Sequence, residues 1–244
     1  MCKFVLMGGG DIGLHNTSYK TAVFDEEIIK LTEKSCPNFL FIGLAGNSDT
    51  AEHYYSVLKG IYGDTYGCRT DYLTFSDIKD QAVTKAKIEN ADIIYVGGGI
   101  TRNLMRRIRM YGIDDMLAGA REQNKVLCGM SAGAICWCRY GQTKFKNGSR
   151  RVRALGFLDL VFCPHVVTQP QRADFLRHLM KTTYKIPAVA LDNAALEIVG
   201  DKYRVLSLEE NAGAFKSYYK RGTYQVENIE SVEWKPLSEL YSRF

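Results

Sequence analysis

Lys125-Val126-Leu127-Cys128-Gly129-Met130-Ser131-Ala132-Gly133-Ala134 is the stretch on which the reading of this chain turns. The short apolar run Val126–Cys128 predicts a strand, and Ala132–Tyr140 after it predicts a helix. Between them lies Gly-x-Ser-x-Gly. A tight strand-to-helix turn strains the central residue and lifts its side chain above the sheet. The flanking positions must then be almost free of side chains, and Gly129, Ala132, Gly133 and Ala134 are. The five-residue pattern also arises by chance in loops. The strand before it and the helix after it make Ser131 a candidate nucleophile, with helix N–H groups aimed at the site.

Outward from the elbow, short apolar runs alternate with amphipathic stretches. Strands are expected at Phe4–Met7, Phe39–Gly43, Tyr72–Phe75, Ile93–Val96, Leu160–Cys163 and Ala188–Leu191. Helices are expected at Thr21–Glu33, Thr50–Tyr62, Asp77–Asn90, Arg102–Tyr111, Asp114–Gln123 and Gln171–Tyr184. This is an α/β pattern, a doubly wound and mostly parallel sheet with helices on both faces. Ser76 and Thr101 are candidate helix caps. Leu104, Met105, Ile108 and Tyr111 share one apolar helix face, and Arg102, Arg106 and Arg109 read as its solvated face. After Leu191, the runs Leu196–Val199, Tyr203–Leu206 and Ala214–Tyr219 read as an antiparallel meander at the sheet edge. A helix-like piece, Leu237–Phe244, ends the chain. No linker or repeat interrupts it, so residues 1–244 read as one domain, with a core over 1–206 and a short antiparallel extension over 207–244.

The 244 residues carry 32 Lys and Arg against 27 Asp and Glu, a net charge of +5. That mild excess calls for neither nucleic acid nor a membrane surface. Mean hydropathy is −0.19, and no apolar run approaches the ~20 residues of a membrane span. The N-terminal run is too short for a secretory leader, so a cytoplasmic protein is expected. Seven scattered cysteines without a C-x-x-C pair argue against a disulfide framework or a zinc site. No metal is expected.

A serine hydroxyl needs a base. Of the four histidines, His15 falls in a polar loop, His53 beside Tyr54 and Tyr55 in a helix, and His178 beside Arg177 on a helix face. His165 follows the run Leu160–Pro164. It therefore emerges at the C-terminal end of a strand, where active sites of open α/β sheets gather. A third group should orient the imidazole. Asp192, after the strand Ala188–Leu191, is the first candidate, with Asn193 and Glu197 as alternatives. The chain order Ser, His, acid differs from the Ser, acid, His order of α/β-hydrolases. Ala132 N–H and the backbone of Gly98 or Gly99 are the candidate oxyanion donors. Neither Gly97-Gly98-Gly99 nor Gly8-Gly9-Gly10 sits in a nucleotide-binding spacing.

Gly97-Gly98-Gly99-Ile100-Thr101-Arg102-Asn103-Leu104 after a strand, Gly129-Met130-Ser131-Ala132-Gly133-Ala134, and Pro164-His165 after a strand together resemble the peptidase E family. The resemblance runs from Gly8 to about Leu206. It implies a fold like class I glutamine amidotransferase domains and a serine peptidase that uses no cofactor. It also implies cleavage after an N-terminal aspartate in a small acidic peptide. Carried over, Ser131 is the nucleophile, His165 the base, and Gly98 or Gly99 with Ala132 the oxyanion donors. Members often carry an acid some dozen positions after the serine, whereas residues 141–153 here have none.

That stretch instead holds Lys144, Lys146, Arg150, Arg151 and Arg153, either a solvated face or an electropositive mouth for acidic peptides. Arg172 is a candidate grip for a substrate carboxylate. A homodimer is compatible with this composition. Two other functions fit the same residues: hydrolysis of a β-aspartyl or other acidic amide, and ligand binding without catalysis.

Overall fold

The protein is described from a computed structural model, over residues 2–14, 17–146, 148–183, 185–209, 212–229 and 232–242. The first half alternates strand and helix: β1 (Lys3–Met7), α1 (Ala22–Lys30), β2 (Asn38–Ile42), α2 (Ser48–Leu58), β3 (Arg69–Leu73), α3 (Gln81–Asn90), β4 (Ile93–Val96), α4 (Thr101–Met110), α5 (Ile113–Glu122), β5 (Val126–Met130) and the single turn α6 (Ala132–Ile135). The second half is mostly strand: β6 (Cys138–Phe145), β7 (Gly148–Arg153), β8 (Leu158–Pro164), α7 (Gln171–Thr182), β9 (Ala188–Asp192), β10 (Ala194–Val199), β11 (Lys202–Ser207), β12 (Gly213–Lys220), β13 (Thr223–Asn228), β14 (Lys235–Pro236) and α8 (Leu237–Tyr241).

These strands form two sheets. The larger runs β14-β11-β10-β1-β5-β4-β2-β3, and β1, β5, β4, β2 and β3 in it are mutually parallel. Its strands are apolar on both faces, as a sheet covered on both sides must be. Alternate residues divide between the two layers. Val5, Met7, Phe39 and Phe41 pack with Phe24 and Ile28 of α1 and with Leu58 of α2. Leu40, Ile42, Ile94 and Val96 pack with Ile88, Leu104 and Leu117 of α3 to α5. Leu104, Met105 and Ile108 are buried as their spacing implies.

The smaller sheet runs β13-β12-β9-β8-β6-β7. One of its faces (Leu160, Phe162, Val189 and Leu191) joins the core of the first sheet, and the other is covered by Leu176, Leu179 and Met180 of α7. The α/β architecture is thus as expected, with its strands shared between two sheets. The expected edge meander divides: β10 and β11 stay antiparallel beside β1, whereas β12 crosses to pair with β9. The strand β13 has no counterpart in the sequence reading.

Three local expectations are corrected. The helix expected over Ala132–Tyr140 stops at Ile135, and the chain returns as β6, paired with β7 and β8. Gly141 can pass there because a Cβ would sit 2.5 Å from the Ile135 side chain. Ser76 caps no α-helix, and Asp80 does so for α3, its carboxylate accepting from Ala82 and Val83 N–H at 2.9 and 3.2 Å. Thr101 lies inside α4, and its hydroxyl donates to the Gln142 carbonyl at 3.1 Å. No helix among the described residues is long and apolar enough to cross a membrane.

Candidate active site

Ser131 sits between β5 and α6 with φ 55° and ψ −109°, a backbone conformation that costs an L-residue roughly 1–3 kcal/mol. The steric reason for both flanking glycines is visible. A Cβ on Gly129 would stand 2.6 Å from the Val96 carbonyl oxygen, and one on Gly133 would fall on top of that same oxygen. β5 and its elbow are therefore wedged against the end of β4. Ser131 N–H donates to Met7 O at 3.0 Å, which fixes the elbow to β1 as well.

His165 follows β8, also at positive φ (59°). Its Nε2 lies 2.9 Å from Ser131 Oγ, the distance of a base poised on a nucleophile. Burial is the first cause that pushes the imidazole below its ordinary pKa, and the Arg172 charge pushes it the same way, against the pull of Asp192. A lowered pKa leaves the ring neutral near pH 7 and able to take a proton. Of the other histidines, His53 and His178 are exposed on helices, and His15 lies outside the described residues.

Asp192 ends β9, is buried, and turns Oδ2 onto the segment after His165. That oxygen accepts from Val167 N–H at 3.0 Å, Thr168 N–H at 2.6 Å and Thr168 Oγ1–H at 2.8 Å. Its other oxygen and the imidazole both lie against Gly9. A Cβ on Gly9 would meet Asp192 Oδ1 at 2.7 Å and His165 Nδ1 at 3.1 Å. The two alternatives point elsewhere. Asn193 Nδ2 donates to Glu209 at 2.7 Å. Glu197 is fully buried opposite Val5 in mid-strand, held by Arg204 Nε at 2.6 Å, and Arg204 in turn pairs with Glu27 at 2.7 Å.

Gly98 lies beside the nucleophile, its Cβ position 3.7 Å from Ser131 Cβ. Gly99 is exposed and lines the cleft with Ser131, which makes it the more open donor of the pair. Ala132 opens α6, where a first-turn N–H has no partner inside the helix. Arg172, half-buried, shares a cleft of about 370 Å³ with Ser131. Its Nε donates to Gln169 Oε1 at 2.7 Å. With the Gln142 amide turned oxygen-inward, that oxygen accepts from Arg172 Nη1 at 2.6 Å.

Gly9 and Gln142 were invisible as site residues in the sequence. Gly9 carries no chemistry and only makes room, and Gln142 reaches the site on a strand, β6, that the sequence did not announce. Cys128, Cys136, Cys138 and Cys163 are buried, and burial pushes their thiols up, away from nucleophilic use. Among the described residues no group of three or more His, Cys, Asp or Glu is placed to hold a metal.

Residues 4–206 match the family model described as peptidase family S51. The chain belongs to that family. It is a serine peptidase of the peptidase E type, and the match spans both halves of the site, from β1 through β11. A curated relative, the uncharacterized peptidase YgaJ of Bacillus subtilis (strain 168), is 28% identical over 220 residues, covering 88% of this chain and 92% of that protein. Among solved structures, a peptidase from an acI-B1 Actinobacterium superposes with a TM-score of 0.72 at 18% identity, covering 97% of each chain. A protein provisionally described as a Peptidase E protein from Listeria monocytogenes EGD-e gives 0.59 at 19% identity, covering 86% of this chain and all of that one. These two structures share the fold.

Proposed function

We propose that this peptidase removes an N-terminal aspartate from short peptides through an acyl-enzyme on Ser131. The observation that carries the reading is the strained Ser131 with His165 Nε2 at 2.9 Å, in one cleft with Arg172. His165 takes the hydroxyl proton as Oγ attacks the scissile carbonyl. The oxyanion forms against Ala132 N–H and the Gly98–Gly99 backbone, a contribution of ~3–4 kcal/mol per donor in comparable sites. His165 then returns the proton to the leaving amine, and water hydrolyses the ester by the same route reversed. Asp192 favours the imidazolium from across Gly9, and its grip on Val167 and Thr168 holds the segment that carries the ring. Arg172, fixed by Gln169 and Gln142, takes the aspartate side chain, since a guanidinium matches a carboxylate better than an ammonium does.

Hydrolysis of Asp-Leu, Leu-Leu and β-Asp-Leu by the wild type, Ser131→Ala and His165→Ala tests this. Asp-Leu should be the preferred substrate. Both variants should lose about a thousandfold or more in kcat/KM. Equal turnover of Leu-Leu would sink the aspartate preference, faster turnover of β-Asp-Leu would move the activity to isoaspartyl bonds, and retained activity in Ser131→Ala would remove the nucleophile.

A further inference from the structure

One wall of the cleft enters this chemistry only through Gln142. It is the hairpin of β6 and β7. From Cys138 to Arg153 the chain has six cations and no carboxylate. Several have structural duties. Arg139 pairs with Asp159 at 2.6 Å. Arg151 lies over the Tyr140 ring, and Arg150 lies over Phe145 at 4.5 Å. Lys144 and Lys146 are different. Both are exposed, both line the cleft with Ser131 and Arg172, and no described residue lining that cleft is Asp or Glu.

The strand that leads to these lysines is also held in place. Thr101 Oγ1–H donates to Gln142 O, and Arg102 N–H donates to Thr143 Oγ1 at 3.2 Å. Arg102 covers the Phe145 ring at 4.6 Å. The hairpin is thus tied to the first turn of α4, directly after the Gly98–Gly99 backbone. In β6, Gln142 and Lys144 are two residues apart and face the same side. Gln142 bonds Arg172, so Lys144 stands about 7 Å further along the cleft, two strand residues on. An uncompensated pair of ammonium groups in a cleft attracts a matching anion and rejects a cation.

We propose that Lys144 and Lys146 form a second anion-reading position, so that this peptidase selects substrates with a carboxylate beyond the one at Arg172. The inference rests on the proposed roles of Ser131 and Arg172 and extends them to the leaving side of the bond. The carboxylate comes either from the C-terminus of a dipeptide or from an acidic side chain of the leaving residue.

Two substrate pairs separate these sources. Asp-Leu against Asp-Leu-amide reads the terminal carboxylate, and Asp-Glu-amide against Asp-Gln-amide reads the side chain. In the wild type at least one pair should show a kcat/KM ratio of about five to ten in favour of the charged member. The ratio should approach one in the Lys144→Ala/Lys146→Ala variant, recover in Lys144→Arg/Lys146→Arg, and shrink at high salt. A ratio unchanged in the double alanine variant, or no charge preference in the wild type, overturns the proposal.

Calorimetric binding of the same pairs to Ser131→Ala protein, with and without the two alanines, reads the preference without turnover. If the wild type hydrolyses none of the four, the aspartate-directed reading fails. A lysine-dependent preference in binding then keeps the anion position, and equal affinities overturn it too.

Discussion

Gly8-Gly9-Gly10 and Gly97-Gly98-Gly99 look alike in sequence and hold mirror positions in the fold. The first ends β1 and the second follows β4, and these are the two strands that flank β5, which carries Ser131. Their uses differ. At Gly9 the missing side chain admits His165 Nδ1 from β8 and Asp192 Oδ1 from β9, so the first triplet is where the second sheet reaches the elbow. Gly97 and Gly99 make room for scaffold instead. A Cβ on Gly97 would meet the Phe41 ring at 2.9 Å, and one on Gly99, at φ 138°, would meet Ala45 Cβ at 2.8 Å. Gly98 alone of the three has its Cβ position beside the serine side chain, with space to spare. Identical tripeptides thus serve two ends, because what presses on each is set by chains distant in sequence.

The largest effect should come from the wedge that both triplets frame. Gly133→Ala drives a Cβ onto the Val96 carbonyl, where backbone must yield. We expect a loss of about 3 kcal/mol or more, read by denaturant unfolding. Wild-type stability in that variant would mean that the elbow is looser than described.

Gly9→Ala comes next. Its Cβ would crowd the imidazole and the carboxylate rather than the core, so kcat/KM should fall by about a hundredfold with little change in melting temperature. Full activity in Gly9→Ala would dissolve the contrast between the triplets.

The third effect is a shift in pH dependence. Burial and the Arg172 charge hold His165 below its ordinary pKa of 6.5, so fluorophosphonate labelling of Ser131 should rise with pH through a midpoint below 6.5. Arg172→Gln removes a repelling charge and should move that midpoint up. An unmoved midpoint would leave burial as the cause on its own.

The smallest effect should be that of Gly98→Ala. Its Cβ would meet Met130 O at 3.6 Å and Ser131 Cβ at 3.7 Å, ordinary contacts. Activity should stay within about threefold of wild type, inside the range of a ΔΔG‡ below 1 kcal/mol. A loss as deep as that of Gly9→Ala would show that both triplets are catalytic in the same sense.

Much of the site was legible because its signals are local. Small residues around Ser131, and His165 one step past an apolar run, need only strand and turn geometry to be read. Which side chain near His165 is the candidate for orienting it was not legible. Asp192, Asn193 and Glu197 lie within six residues, and only the pairing of β9 and β10 into different sheets separates them. Asp192 ends a strand of the second sheet beside His165, whereas Glu197 is locked under Arg204 in the first. The basic stretch was equally ambiguous, since neither the hairpin nor its place beside Ser131 is written in its composition.

By itself, the sequence determined the alternation of strand and helix, the strained elbow and a histidine at a strand end, because hydrophobic period and side-chain volume act over a few residues. Tertiary structure alone decided that there are two sheets, that Asp192 and not Glu197 lies near His165, what presses on Gly9, and that Lys144 and Lys146 share a cleft with Ser131. Those outcomes depend on hydrogen-bond pairing between strands far apart in the chain. Any strand of suitable pattern can accept several partners, and the packed core selects among them.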